Sequence, residues 1–150
     1  MKKAFTLIEL IFVIVILGIL AAVAIPKLNA TREDAIVAKK AKLITASINE
    51  IAAHAFGQKS ISGGLTTYSN ILREMKEKGE VVPNGNDNNL TFLTGNNTQC
   101  IILSLVNGNQ EQNLSVSYGN PNNDTICIGL QRILHNSNYS IVLRKNLVNY

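Results

Sequence analysis

Tryptophan is absent from the chain, aromatic residues make up only 5%, and 150 residues contain three prolines and two cysteines. Two cysteines exclude a small scaffold held by several disulfides, and their wide separation excludes a Cys-x-x-Cys metal or redox motif. Charge is scarce too, with 16% of residues being Asp, Glu, Lys or Arg. The formal charge of +4 is no binding surface: without Lys2 and Lys3 the balance is 12 basic against 10 acidic residues. Lys39, Lys40 and Lys42 on one segment, and Arg144 and Lys145 on another, are too dispersed for a phosphate-binding face, so nucleic acid is not an expected partner. His54 and His135 stand without Cys or carboxylates at zinc spacing. Asp124, in an Asn-rich stretch, is one carboxylate where calcium takes about six to eight oxygens. No Gly-rich phosphate loop precedes a helix. The residues therefore point to no enzyme, no cofactor and no metal.

What is present is unevenly distributed. Of 19 Asn residues, 16 lie at or after Asn84, whereas Met1 to Lys27 is almost wholly apolar. Phe5 to Ile25 is 21 residues, a helix of roughly 31 Å and so about one hydrocarbon core. A multi-span membrane protein is excluded, because no second segment is long and apolar enough. Lys2 and Lys3 before the run orient the N-terminus to the cytoplasm, with everything after Pro26 outside the inner membrane. A basic start, an apolar run and the small-x-small stretch Ala22-Val23-Ala24 also describe a secretory signal peptide. On that alternative the chain is a secreted binding module cleaved after Ala24. Glu9 separates the two readings. A carboxylate within an apolar run costs up to about 2.5–3.5 kcal/mol at a helix centre and less near an end, so it needs a partner and a use. A disposable signal gains nothing from it.

Lys2-Lys3-Ala4-Phe5-Thr6-Leu7-Ile8-Glu9-Leu10, followed by the apolar run, Gly18 and Pro26, resembles the processing site of type IV prepilins and of type II secretion pseudopilins. The resemblance implies cleavage of the Ala4–Phe5 bond by a prepilin peptidase, N-methylation of the new Phe5 terminus, and pairing of Glu9 with the terminal amine of a neighbouring subunit. It also implies a homo-oligomeric filament with an inner-membrane assembly platform, membrane lipid and minor pilins or pseudopilins as partners. Such a subunit starts as a single-pass inner-membrane protein and ends in a periplasmic or extracellular filament. Ala4 stands where the family usually has Gly. Ala is the next smallest side chain, so the departure bears on cleavage efficiency. Glu9 argues against the tip-type minor pseudopilins that lack it, and the missing Trp argues against the major secretion pseudopilin. Gly18 and Pro26 weaken the helix between them, and Pro26 both lacks an N–H and clashes with the preceding turn.

Beyond Pro26, Val37, Ala41, Ile44, Ile48, Ile51 and Ala55 recur at spacings of four and three, one face of an amphipathic helix. Asn29 or Thr31 is placed to cap a helical restart. Gly57 to Thr67, with Gly63-Gly64, reads as loop. Tyr68, Ile71, Leu72 and Met75 form a short helix face ending near Gly79, Val81-Val82-Pro83 leads out, and Asn84 to Asn89 is a turn or loop. Short runs rich in β-branched and aromatic residues follow at Leu90–Leu93, Cys100–Val106, Leu114–Tyr118, Thr125–Leu130 and Tyr139–Leu143, separated by Asn- and Gly-rich turns. They predict an antiparallel meander of about four strands, with Arg132 to Leu134 continuing the fourth or turning.

The expected fold is α+β, pilin-like: a long N-terminal helix whose outer half packs on a small antiparallel sheet. The expected organisation is a leader at 1–4, a transmembrane and assembly helix at 5–26 and an extracytoplasmic domain at 27–150. That domain divides into an amphipathic helix at 27–57, a loop and short helix at 58–83 and the sheet at 84–150. Cys100 and Cys127, on predicted strands in an oxidising compartment, are expected to form a disulfide, with two buried free thiols as the alternative. Asn89-Leu90-Thr91 and Asn113-Leu114-Ser115 are glycan acceptor patterns, each with an acidic residue (Asp87, Glu111) two positions before the Asn, as some bacterial N-glycosylation systems require.

Overall fold

The computed structural model of the chain describes residues 5–57, 61, 63–95, 97–108, 111–134 and 138–145. Lys2, Lys3, Ala4 and His135 lie outside them. Two compact units divide the chain, Met1–Ala35 and Ile36–Tyr150.

Helix α1 (Leu7–Gly57) begins in the first unit. From Leu7 to Leu28 every side chain is exposed. It is the one helix among the described residues that is long and apolar enough to cross a membrane. The helix continues across Gly18 and Pro26. A single proline removes one N–H, so only the carbonyl of Ala22, four residues back, loses its helical partner. The expected restart at Asn29 or Thr31 is therefore not needed. The Thr31 hydroxyl instead donates to the Leu28 carbonyl at 2.9 Å, inside the helix.

In the second unit, α1 buries the predicted stripe: Val37, Ala41, Ile44, Ile48, Ile51 and Ala55 all join the core. Each large side chain removed from water in this way contributes roughly 1.5–3 kcal/mol. Ser47, also buried, satisfies its hydroxyl on the Ile44 carbonyl at 2.7 Å. The stripe faces a five-stranded antiparallel sheet whose order follows the sequence: β1 (Val81–Asn84), β2 (Asn86–Thr94), β3 (Thr98–Asn107), β4 (Glu111–Tyr118) and β5 (Tyr139–Lys145). Its registers set Leu90 opposite Leu103, Leu103 opposite Val116 and Leu114 opposite Ile141. That alternation puts one apolar face toward the helix.

The sheet is one strand larger at its start than the sequence reading, because Val81 to Pro83 do not merely lead out. They form β1 at the sheet edge, where the missing proline N–H costs no ladder bond. Gly85, with φ of +83°, makes the tight reversal into β2, so the segment read as loop up to Asn89 is strand from Asn86. The predicted loop at Gly57–Thr67 contains the start of α2 (Leu65–Tyr68), and Tyr68 belongs there and not on the following helix. Ser69 separates the two. Its hydroxyl accepts from Leu72 N at 3.2 Å to cap α3 (Asn70–Glu77) and donates to Glu50 of α1 at 2.6 Å.

Thr125–Leu130 is a helix and not a strand: α4 (Thr125–Ile133). Arg132 and Ile133 complete it. The β-branched residues Thr125, Ile126 and Ile128 favour a strand by type. Two stronger signals favour helix. Asp124 Oδ1 accepts from the backbone N–H of Ile126 and of Cys127 at 2.9 and 3.2 Å, an N-cap. Cys127, Leu130, Gln131 and Leu134 are all buried, at a helical spacing. Cys127 is bonded to Cys100 of β3, with Cα atoms 5.5 Å apart, so the disulfide joins a helix to a strand.

Asp87 ties α2 and α3 to β2. Lys76 donates to Oδ1 at 2.6 Å, and the Thr66 amide (3.3 Å) and hydroxyl donate to Oδ2. Gly64 lies so close that a Cβ there would come within 2.5 Å of Asp87 Cβ. Burial alone would push the Asp87 carboxyl up. The Lys76 ammonium and the Thr66 donors outweigh it and hold the group below its ordinary value. A carboxyl depressed by folding contributes stability that is complete above its unfolded value and is lost as pH falls through the folded one. The urea midpoint of the full chain in detergent should therefore hold above the ordinary Asp value of about 3.9 and drop as pH falls below it. Asp87→Asn should flatten that fall and lower stability at neutral pH by about 1 kcal/mol, a small figure because water screens the pair.

Intact mass under non-reducing conditions should lie two hydrogens below the reduced mass, with no thiol open to alkylation. Removing the bond should cost about 2–4 kcal/mol, read as a lower denaturation midpoint for Cys100→Ala/Cys127→Ala.

Candidate functional site

The residues singled out at the amino terminus lie on the exposed part of α1. Phe5 lies outside the helix and is 83% exposed, and helix begins two residues later at Leu7. Thr6 is the N-cap, and Glu9 occupies the third helical position. The Thr6 amide donates to Glu9 Oε2 at 2.9 Å, the Thr6 hydroxyl donates to the same oxygen at 2.7 Å, and the Glu9 amide approaches Thr6 Oγ1 at 3.4 Å. This is a capping box, which satisfies amides that the first helical turn leaves without partners. The resemblance implies a partner for Glu9 on a neighbouring subunit, the Phe5 amine, and does not bring in Thr6. The Thr6-x-x-Glu9 spacing, a recognised helix-start signature, would have revealed one within the chain. Gly18 is open on all sides, with no atom within 4 Å of where a Cβ would sit. Pro26 is helical. Ala4, on the other side of the expected scissile bond, is outside the described residues.

The remaining candidates do not gather around this segment. Asn89 is within β2, and its Oδ1 accepts from Ser104 of β3 at 3.1 Å. Asn113 is within β4, opposite Val106 of β3 and Val142 of β5, with its Oδ1 buried and unpartnered. Asp124 is committed to the α4 cap. His54 lies beside Tyr68, with ring centroids 6.1 Å apart and the rings tilted by 56°. Among the described residues no three His, Cys, Asp or Glu side chains cluster as a metal site would require. Lys39 and Lys40 line a groove of about 380 Å³ between α1 and α3, floored by Leu43 and Met75. Lys40 is paired there with Glu80 at 3.1 Å, and Lys78 with Glu74 at 2.5 Å.

At the amino terminus an exposed apolar stretch thus carries one carboxylate, Glu9, one turn from Phe5. Residues 1–25 match the family model described as the prokaryotic N-terminal methylation motif. No curated protein and no solved structure matches the chain. At its amino terminus this chain carries the methylation signature found on type IV prepilins and pseudopilins, and its fold is α+β, a long helix followed by a five-stranded antiparallel sheet.

Proposed function

We propose that the chain is a structural subunit of a type IV pilus-like filament, either a type IV pilin or a type II secretion pseudopilin. The carrying observation is the methylation motif at residues 1–25 on a helix whose side chains from Leu7 to Leu28 are all exposed. In this reading Lys2 and Lys3 keep the N-terminus cytoplasmic, residues 5–26 span the inner membrane, and residues 27–150 form the outer domain. A prepilin peptidase cuts between Ala4 and Phe5 and methylates Phe5. An assembly platform then moves the subunit from lipid into a bundle of the same helices, where apolar side chains exchange lipid for one another.

Glu9 sets the register of that bundle. The Phe5 amine of an incoming subunit reaches the Glu9 carboxylate of one already docked. Oε2 is occupied by Thr6, while Oε1 has no donor among the described residues. In the apolar bundle neither charge has water, so pairing is favoured chiefly because an unpaired charge costs about 3–5 kcal/mol. A helix docked one turn out of register leaves both charges unmatched.

The mature protein should begin at Phe5 and carry one N-methyl group, measured by intact-mass spectrometry of membrane fractions from a host with a prepilin peptidase. A mature chain beginning at Ile25 would instead establish the signal-peptide alternative.

Glu9→Ala should leave membrane insertion and the folded outer domain unchanged while abolishing filaments, and should enter wild-type filaments poorly when co-expressed. Electron microscopy reads the outcome. Filaments of normal length and number from correctly processed Glu9→Ala subunits would remove Glu9 from assembly.

A further inference from the structure

The buried amide of Gln131 has no part in the assembly reading. It lies on α4, 8% exposed, one turn beyond the disulfide cysteine Cys127. Its Nε2 donates to the Cys100 carbonyl at 3.1 Å and to the Gly119 carbonyl at 2.8 Å, and stands 3.5 Å from Cys127 Sγ. Two N–H groups meet two carbonyls, so the donor is fully used. The two acceptors come from the start of β3 and the residue after β4. Those segments are themselves in close contact: Gly119 N donates to the Cys100 carbonyl at 2.9 Å, and a Cβ on Gly119 would lie 1.9 Å from the Gln99 carbonyl oxygen. Gln131 therefore holds α4 to the backbone of Cys100 itself.

Other contacts point the same way without sulfur. Leu130 and Leu134 are buried in the core, the Tyr118 hydroxyl donates to the Leu134 carbonyl, and Asp124 caps the helix start. In an unfolded chain, joining Cys100 to Cys127 means closing a loop across 27 positions, at an entropic cost. With α4 docked, that cost has already been met by contacts that do not depend on the redox state.

We infer that α4 docks while both cysteines are still thiols, and that Gln131 is the positioning residue that holds them within reach, so that the disulfide locks an assembled contact. A small disulfide such as oxidised glutathione serves as oxidant. One protein thiolate attacks it and releases one glutathione thiolate, and the second protein thiolate attacks the mixed disulfide and releases the other. Two protein thiols and one glutathione disulfide become one protein disulfide and two glutathione thiols, with two electrons and two protons passing to glutathione. The equilibrium then reports how closely the fold holds the thiols before oxidation.

The test uses the full chain in detergent micelles, equilibrated across a series of reduced-to-oxidised glutathione ratios, trapped by alkylation and read by mass. Gln131→Met keeps the side-chain length and removes both hydrogen bonds. It should need roughly tenfold more oxidising conditions for half-oxidation, the scale of two modest buried hydrogen bonds. Asp87→Asn, which loosens α2 and α3, should leave the midpoint in place. In the reduced proteins, amide exchange should find α4 protected in the wild type and opened in Gln131→Met. An unchanged midpoint in Gln131→Met would overturn the inference. So would an equal shift in Asp87→Asn, or an unprotected α4 in the reduced wild type.

Discussion

One helix meets two incompatible demands on its surroundings, and the rest of the molecule follows from that. Residues 10–26 of α1 are apolar around the whole circumference and exposed throughout, which water does not tolerate. Residues 37–55 are apolar along one stripe, which a sheet can cover while the opposite side stays wet. The first demand calls for a solvent or partner outside the chain. The second calls for a partner inside it, and the five strands supply it. The side chains around the helix alone decide which of the two operates.

The inner cover is held by polar contacts placed where elements end. Asp87 gathers the Thr66 and Lys76 donors at the start of β2, Ser69 and Glu50 link α3 to α1, and Asp124 starts α4. Small residues permit the close approaches. Gly129 of α4 would bring a Cβ within 3.0 Å of Val37 on α1, so the two helices meet without an intervening side chain there. With so much of the chain given to Asn and Ser, the core is small, and these terminal contacts decide which arrangement of it is kept.

Much of this was legible in the residues. The stripe from Val37 to Ala55 was readable position by position, because a helical period over six residues has few competing explanations. The motif at Lys2 to Leu10 was readable because Glu9 violates the apolar pattern around it, and such a violation is informative. Cys100 and Cys127 were readable as a pair, though not as helix to strand. The Thr125–Ile133 segment reads as strand because side-chain type and cap chemistry disagree there: four β-branched residues argue one way and Asp124 the other. Val81–Pro83 misled because proline usually ends a strand pattern, and only the sheet order shows that it stands on an edge. The contact between Thr6 and Glu9 is legible as well, in the Thr-x-x-Glu spacing of a capping box.

The order of the strands has a kinetic consequence. Each of β1 to β5 pairs with its neighbours in sequence, with α4 inserted only between the last two. The first three pairings close over a few residues each, and such local topologies fold quickly because little loop entropy is spent before contacts reward it. The β4–β5 pairing spans α4, and the face of α1 must wait longest, for strands that follow it by roughly thirty to ninety residues. The slow event in folding should thus be the landing of helix on sheet, a late closure that completes the core both share.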